Sequence, residues 1–280
     1  MRMFCNVFGL LIASLVTWQT YATDVVYHGE QRQDYYVQLL HHILAYAKDK
    51  DYQLSAFGQY LPKYRDFEIM TKGEGIDVVM GGSTLDREHI ALPIRFPLLK
   101  GLNGWRIPLV HKSQENMFAE VVTMEQFRRL VPGQFHTWSD TKVLESNGIK
   151  VQKGSSSEGL YAMLEKKRFD YFPRSVIEIE ANLSAHKDLN ITIDPYVLIY
   201  YPTAFYYYVN KDNVALAQDI KMGLEQALAD GSFDRLFMEH YGGVITKFRQ
   251  QKRRIFQLEN PYLSDKTPLK RQELWLDLSQ

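Results

Sequence analysis

The sequence predicts an α/β protein built on doubly wound sheets. The segment "IDVVMGG" (76–82) is a continuous apolar run closed by glycines, which is typical of a strand buried on both faces. Strand-like runs alternate along the chain with helical patterns of about 10–15 residues, and this alternation predicts parallel sheets with helices on both sides. The chain has 280 residues, of which 45% are hydrophobic, so it can bury one large core or two smaller ones.

The first 22 residues are predicted to be a secretory signal peptide. Arg2 precedes an apolar run from Val7 to Val16, and Thr20-Tyr21-Ala22 has the small-x-small pattern of a cleavage site. The apolar run is about half of the roughly 20 residues that a membrane span needs, although an uncleaved anchor helix is the alternative. We expect an exported protein, located in the periplasm if the source is a Gram-negative bacterium.

Composition and motifs argue against several classes of function. Lys plus Arg and Asp plus Glu are equal at 33 each, so no overall basic field exists to hold nucleic acid or an anionic membrane. The single cysteine, Cys5, lies in the predicted leader, which leaves no thiol for a disulfide or a metal. The sequence has no glycine-rich phosphate loop, no HExxH and no GxSxG, so we expect no cofactor and no metal.

The first half of the chain has a regular order of strands and helices. "DVVYH" predicts a strand, "YYVQLLHHILAYAKDK" a helix capped by Asp34, "YQLSAF" a strand, and Pro62 to Thr71 a helix. The strand "IDVVMGG" follows. Ligands of such sheets lie beyond the carboxyl ends of the strands. The residues just after this strand are therefore candidates for a site: Ser83, Thr84, Asp86 and Arg87.

A second α/β set begins near Trp105. "GWRIPLVH", "RLVPGQFH", "IKVQKG" and "FDYFPRS" predict strands, while "TWSDTKVLESNG" and "SSSEGLYAMLEKK" predict helices, the latter with a capping box of Ser155 and Glu158. Two more helices follow in "NVALAQDIKMGLEQALADG" and "SFDRLFMEHYGG". Beyond Thr246 the chain is polar and basic, and we expect this tail to wrap over the body with Trp275 and Leu276 as anchors.

Three of these segments together resemble the family 3 extracellular solute-binding proteins, which are the polar amino acid binders of bacterial ABC importers. The segments are "GIDVVMGGSTLDRE", "SSSEGLYAMLEKKRFDYFP" and "NVALAQDIKMGLEQALADGSFDRLFMEHYG", and the ending "DGSFDRLFMEHYG" is the most specific. The resemblance covers roughly Asp24 to Gly243. The tail beyond Gly243 exceeds the usual family length.

The resemblance implies a type II periplasmic-binding-protein fold, in which two α/β lobes joined by two crossover strands trap a ligand on closure. The crossovers are expected near 103–109 and 203–209. Lobe 1 would comprise residues 23–108 and 206–280, the latter including the tail, and lobe 2 residues 109–205. The implied partners are a small-molecule ligand and an ABC permease or a membrane sensor, and the implied state is a monomer.

The resemblance also implies a carboxylate-binding site. The family's arginine follows a T-x-x-R pattern, which matches Thr84 to Arg87, with backbone groups near Gly82 completing that end. An alternative is that Arg87 bridges Asp86 or Glu88 on the surface. In lobe 2 the family uses polar residues that open a helix, and these match Thr137, Trp138, Ser139 and Asp140, which could equally be cap residues. Trp138 is interpreted as a stacking wall, with Tyr27 and Tyr60 as weaker candidates for the pocket.

Arg174 departs from the family pattern. Amino acid binders of this family place Asp or Glu at the end of the strand that matches "FDYFP", where it pairs with the ligand's α-ammonium group. Two like charges about 4 Å apart repel by roughly 4 kcal/mol at an effective dielectric near 20. We therefore expect a ligand with two anionic groups, or one anion bound by Arg87 and Arg174 together. The alternative is that Arg174 points away from the ligand and pairs with Glu178 or Glu180.

Three functions follow from these observations. The first is a solute-binding protein for a small anionic or carboxylate-bearing ligand. The second is an enzyme, because some proteins of this fold are dehydratases of cyclohexadienyl acids, and Asp140 or Glu178 would then be the general acid. The third is an accessory protein whose cleft no longer binds a ligand.

Overall fold

The computed structural model describes residues 22–61 and 64–279, which form two α/β lobes. The predicted signal peptide lies outside the described residues, apart from Ala22. Within the described part of the chain, no helix is long and apolar enough to cross a membrane. The predicted α/β class is confirmed by the two sheets described below.

The sheet of the first lobe has five strands in the order β2-β1-β3-β11-β4. Their bounds are β1 (Ala22–Tyr27), β2 (Asp51–Ala56), β3 (Val78–Gly82), β4 (Leu92–Ile94) and β11 (Phe205–Val209). Strands β1, β2 and β3 are parallel, whereas β11 runs antiparallel to β3 and β4. The apolar run "IDVVMGG" contains the central strand β3. This strand is buried because other elements pack on both faces of the sheet.

Five helices cover this sheet. They are α1 (Tyr35–Leu44), α2 (Arg65–Lys72), α3 (Leu85–Ile90), α8 (Val214–Ala229) and α9 (Ser232–Gln250). The predicted cap is confirmed, because the side chain of Asp34 accepts a hydrogen bond from Val37 N. Helices α1 and α8 approach closely at Gly223, where a Cβ atom would lie 2.1 Å from the carbonyl oxygen of Ile43. Only glycine allows this contact.

The second lobe has a mixed sheet in the order β12-β10-β5-β8, with β9 also paired to β5. The strands are β5 (Trp105–His111), β8 (Tyr171–Ser175), β9 (Ile191–Ile193), β10 (Val197–Tyr200) and β12 (Arg254–Gln257). Strands β6 (Gly133–Phe135) and β7 (Gln152–Gly154) form a separate parallel pair. Because β5 is antiparallel to its neighbours β8, β9 and β10, this sheet is less parallel than the sequence predicts.

Four helices belong to the second lobe: α4 (Met124–Arg128), α5 (Ser139–Ser146), α6 (Ser157–Glu165) and α7 (Ile179–Ala185). Helix α6 is capped by Ser156, whose hydroxyl accepts a hydrogen bond from Gly159 N. The predicted cap Ser155 is therefore wrong by one residue. Adjacent serines have the same capping chemistry, and the extended backbone at Ser156 decides between them.

The two lobes are joined where the chain passes from β4 to β5 and from β10 to β11. These two connections, residues 95–104 and 201–204, touch at Gly104, whose carbonyl oxygen accepts a hydrogen bond from Tyr201 N at 3.3 Å. A Cβ atom on Gly104 would lie 2.2 Å from the carbonyl oxygen of Tyr201. Glycine is thus required for the two connections to pack side by side.

The tail makes a further passage into the second lobe. Strand β12 pairs in parallel with the edge of β10, and the Phe256 ring stacks on Phe127 with ring centroids 4.4 Å apart. This position differs from the expectation that residues 206–280 belong to lobe 1. The edge of β10 presents unpaired backbone groups, and a short apolar strand satisfies them while burying Phe256.

The end of the tail returns to lobe 1 and the connections. Arg271 donates two hydrogen bonds to the Glu225 carboxylate on α8, at 2.6 and 2.9 Å. Leu276 N donates to the Lys100 carbonyl oxygen at 2.7 Å, and the Trp275 ring covers Gly101. The predicted anchoring by Trp275 and Leu276 is confirmed. The tail thus contacts both lobes.

We expect Phe256→Ala to lower the free energy of unfolding by about 3–5 kcal/mol, because it leaves a cavity beside Phe127. Leu269→Ala is the matched control in the same tail, since Leu269 is exposed, and its effect should stay below about 0.5 kcal/mol. Urea denaturation of the purified proteins measures both values. Equal small effects would mean that β12 is dispensable for the second lobe.

Candidate functional site

A cleft of about 710 Å³ lies between the two lobes. Its walls come from the carboxyl ends of β3 and β8, the start of α5 and the loops beside them, as expected for α/β sheets. Of the twelve residues that the sequence offers as candidates for the site, nine line this cleft: Tyr60, Gly82, Thr84 and Arg87 from lobe 1, and Thr137, Trp138, Ser139, Asp140 and Arg174 from lobe 2.

Tyr27, Ser83 and Asp86 are the exceptions, because none of them lines the cleft. Ser83 instead donates a hydrogen bond to Glu88 Oε1 at 2.7 Å. Tyr27 is 1% exposed and is part of the lobe 1 core. Its hydroxyl donates to Gln31 Oε1 at 3.3 Å, and its ring lies 5.1 Å from the guanidinium carbon of Arg32, which does line the cleft. Tyr60, by contrast, is 83% exposed at the rim.

Arg87 is positioned by its own short helix. Thr84 caps α3, because its hydroxyl accepts a hydrogen bond from Arg87 N at 3.2 Å. In the T-x-x-R pattern the threonine is therefore the N-cap, and the arginine is the third helical residue, whose backbone N–H the cap binds. The guanidinium donates from Nη1 to the carbonyl oxygen of Gly82 at 2.6 Å. Its carbon lies 5.5 and 5.3 Å from the ring centroids of Tyr64 and Phe67. These contacts orient the guanidinium without neutralising it.

No carboxylate of the described residues lies within 4 Å of the Arg87 guanidinium. The neighbouring Glu88 pairs instead with Arg95 at 2.8 Å, so the surface bridge considered from the sequence is not formed. Arg87 Nε is buried and has no hydrogen-bond partner within the described chain. Arg87 therefore differs from the other arginines of the cleft, each of which has a carboxylate partner.

Tyr64 is a contact of Arg87 that the sequence does not identify. Its backbone has a φ of 78°, in the left-handed region that non-glycine residues rarely adopt. Such strained conformations cluster at functional sites. Sequence patterns predict helix α2 but carry no signal for this angle, which places the Tyr64 ring over Arg87.

The lobe 2 wall contains four side chains of alternating charge, which we call the charge chain: Asp140, Arg106, Glu178 and Arg174. Arg106 Nη2 donates to Asp140 Oδ1 at 2.7 Å, and Arg106 Nη1 lies 3.8 Å from Glu178 Oε1. Arg174 Nη2 donates to Glu178 Oε2 at 2.9 Å. Two cations and two anions thus offset one another along this wall.

Arg106 is the member of the charge chain that contacts both carboxylates, and only 7% of its surface is exposed. Burial alone would lower the pKa of Arg106, but Asp140, Tyr201 and Glu178 raise it, and the net shift is upward. The Tyr201 hydroxyl also donates to Asp140 Oδ1, at 2.5 Å. Burial raises the pKa of Tyr201 well above its ordinary value, so this hydroxyl stays a donor.

Arg174 lines the cleft, but the Glu178 carboxylate already offsets its charge. Besides Glu178, it donates from Nε to Asn182 Oδ1 at 2.8 Å. Its guanidinium carbon lies 4.9 Å from the Trp138 ring centroid and 5.0 Å from that of Phe172. The pairing with Glu178 is the alternative that the sequence left open.

The start of α5 differs from the capped helix considered from the sequence. The cap position is Trp138, which makes no side-chain cap hydrogen bond. Thr137 and Ser139 are exposed and line the cleft. Asp140 does not cap the helix, and its Oδ1 atom accepts hydrogen bonds from Arg106 and Tyr201.

One further ion pair lies on the lobe 1 wall, where His28 Nδ1 is 3.2 Å from Asp66 Oδ2. Burial alone would raise the pKa of Asp66. The hydrogen bonds from His28 and Phe67 N, together with the charge of Arg87, lower it overall. Across the described residues, no group of three or more His, Cys, Asp or Glu side chains is arranged to hold a metal ion.

Comparison with known proteins bears on the fold. A scan against models of protein families and a search of curated proteins find no match. Solved structures do match. One is a probable amino-acid ABC transporter extracellular-binding protein from Bacillus subtilis, with a TM-score of 0.56 and 16% sequence identity. The match covers 80% of this chain and 99% of that chain.

Two other matching structures are binding proteins for arginine. An ancestral arginine-binding protein bound to arginine has a TM-score of 0.53 and 16% identity, over 79% of this chain and 98% of that one. A Salmonella typhimurium periplasmic binding protein described for its high arginine specificity has a TM-score of 0.52 and 14% identity, over 78% and 99%. The protein therefore has the two-lobed type II fold of the periplasmic amino-acid-binding proteins.

Proposed function

We propose that this protein binds a small solute with one carboxylate group in the cleft between its lobes. The observation that carries the proposal is Arg87, a cleft cation with no carboxylate partner in the described chain. An arginine held by aromatic rings and one carbonyl group keeps donors for a planar anion. The matching binding proteins support solute binding in general.

The charge chain narrows the class of ligand. An α-ammonium group needs a carboxylate that can face it, and both carboxylates of the charge chain already bind arginines. Because the Glu178 carboxylate offsets the charge of Arg174, Arg174 does not require a second anionic group on the ligand. Two more carboxylates line the cleft from lobe 1: Asp66 pairs with His28, and Glu30 is exposed. On the lobe 2 wall no carboxylate is left without an arginine partner, so the preferred ligand is a carboxylate without an adjacent ammonium group rather than the dianion expected from the sequence.

Lobe closure is the proposed mode of capture. The walls of the cleft belong to two different sheets, joined by the connections at 95–104 and 201–204. A ligand that contacts Arg87 on one wall and α5 on the other makes both sets of contacts only in the closed state, and this difference drives closure. We propose that the protein is exported to the periplasm and presents its solute to an ABC permease or a membrane sensor.

The dehydratase alternative has no observation in its favour. A general acid must direct a protonated oxygen at the substrate, whereas Asp140 and Glu178 direct their oxygens at Arg106 and Arg174. We expect the purified protein to leave prephenate and arogenate unchanged. The neighbours named above are binding proteins rather than enzymes.

We expect Asp140→Asn to lower the free energy of unfolding by about 3 kcal/mol, because it leaves the buried Arg106 charge without its closest partner. Glu125→Gln is the control, since it removes one partner of the exposed pair with Arg129 and should cost less than about 0.5 kcal/mol. Urea denaturation compares the two. Equal effects would show that the Arg106–Asp140 pair adds no more than a surface pair.

The central test is a thermal-shift screen of the purified protein with small carboxylates and their amino-acid counterparts. A ligand at 100 times its dissociation constant should stabilise the protein by about 2.7 kcal/mol. We expect Arg87→Met to weaken carboxylate binding by roughly 30- to 1000-fold, from the loss of about 2–4 kcal/mol of paired hydrogen bonding. Arg65→Met, on α2 and outside the cleft, should bind like the wild type.

The screen also separates the alternatives. If simple amino acids bind more tightly than the matching carboxylates, the proposed class of ligand is wrong. If no compound raises the melting temperature, the accessory protein with an unoccupied cleft is favoured. Small-angle scattering with a bound carboxylate tests closure, because closure should reduce the radius of gyration.

A further inference from the structure

Two hydrogen-bonding atoms on the lobe 2 wall of the cleft are buried without a partner. Gln134 on β6 is 1% exposed, and its Oε1 atom has no hydrogen-bond partner in the described chain. The same holds for Nε of Arg106 on β5. Both residues line the cleft. The large majority of buried side-chain polar atoms in native proteins have a partner. Several other buried atoms of the described chain also lack one, but these two belong to residues that line the cleft, where a ligand could supply it.

The surroundings of Gln134 do not allow it to move to another partner. Strand β6 is paired with β7, and Pro132 just before it forms a bridge with Tyr171 of β8. Gly133 packs so tightly that a Cβ atom there would lie 2.2 Å from the ring of Phe169. The backbone at Gln134 is thus held on both sides, and Gln134 is among the residues that line the cleft.

Two carboxylates already offset the charge of Arg106, so Arg106 does not require a further anion. It still has one N–H donor without a partner. Its Nη atoms face Asp140 and Glu178, which leaves Nε as the unused donor. Gln134 supplies a neutral amide. A ligand group that suits both is uncharged and has an acceptor as well as a donor.

We infer that Gln134 and Arg106 form a second subsite, which binds an uncharged carboxamide group of the solute whose carboxylate is bound by Arg87. This inference rests on the proposed function. A carboxamide offers N–H donors to Gln134 Oε1 and a carbonyl oxygen to Arg106 Nε. A second carboxylate would offer no donor to Gln134 and would add a charge that the offset wall does not need.

The test uses two matched series of compounds in thermal-shift and calorimetric titrations of the full protein. The amide acids are succinamate, glutaramate and adipamate, and the alkanoates without the amide are butanoate, pentanoate and hexanoate. We expect at least one amide acid to bind the wild type roughly three- to tenfold more tightly than its alkanoate, as one or two hydrogen bonds provide.

Gln134→Met is the decisive variant, because methionine keeps the size of the side chain and removes its polar atoms. It should abolish the preference for the amide acid and keep alkanoate binding. It should also raise the melting temperature of the ligand-free protein by roughly 2–4 °C, because an unpaired buried acceptor is removed. Gln114→Met is the control, since Gln114 Oε1 is also buried without a partner but lies outside the cleft. It should leave the preference unchanged.

Three outcomes would overturn the subsite. Equal binding of the two series by the wild type overturns it and leaves the carboxylate proposal standing. A preference for the amide acid that persists in Gln134→Met overturns it as well, and so does a lower melting temperature of that ligand-free variant, which would make Gln134 a structural residue. If neither series binds the wild type, the proposed function and the subsite both fail.

Discussion

The buried charge of Arg106 is the constraint on which the rest of the cleft depends. A guanidinium with so little contact with water is stable only if carboxylates offset it, and Asp140 and Glu178 do so. Asp140 lies in the first turn of α5, and Glu178 stands immediately before α7, so this one charge contacts the starts of two helices. Tyr201, on the second connection, joins the same carboxylate and ties the connection to the wall.

The same constraint explains why the two walls of the cleft differ. On lobe 2 each member of the charge chain has a partner of opposite charge, and the Trp138 ring packs against Arg174 and Phe172. On lobe 1 Arg87 is oriented by rings and a carbonyl group and has no carboxylate partner among the described residues. The proposed ligand follows from this difference between the walls, whereas the likeness to amino-acid-binding proteins concerns the fold.

The tail links the two lobes in addition to the two connections. It leaves α9, joins the sheet of lobe 2 as β12, and returns to lobe 1 through Arg271 and Leu276. Lys247, near the end of α9, also pairs with Glu180 on α7. The proposed closure of the lobes would have to preserve or rearrange these contacts.

The sequence by itself determined what depends on neighbouring residues: the buried strand β3, the cap at Asp34, and the Thr84–Arg87 spacing that presents a guanidinium at the end of that strand. Tertiary structure decided the partners of the charged residues, the burial of Tyr27 and the position of the buried Gln134 in the cleft wall. Arg106 and Asp140 are 34 positions apart, and β12 lies 57 positions beyond β10. Periodicity and capping operate over a few residues, whereas such pairings exist only once the sheets and helices have packed, so no local pattern contains them.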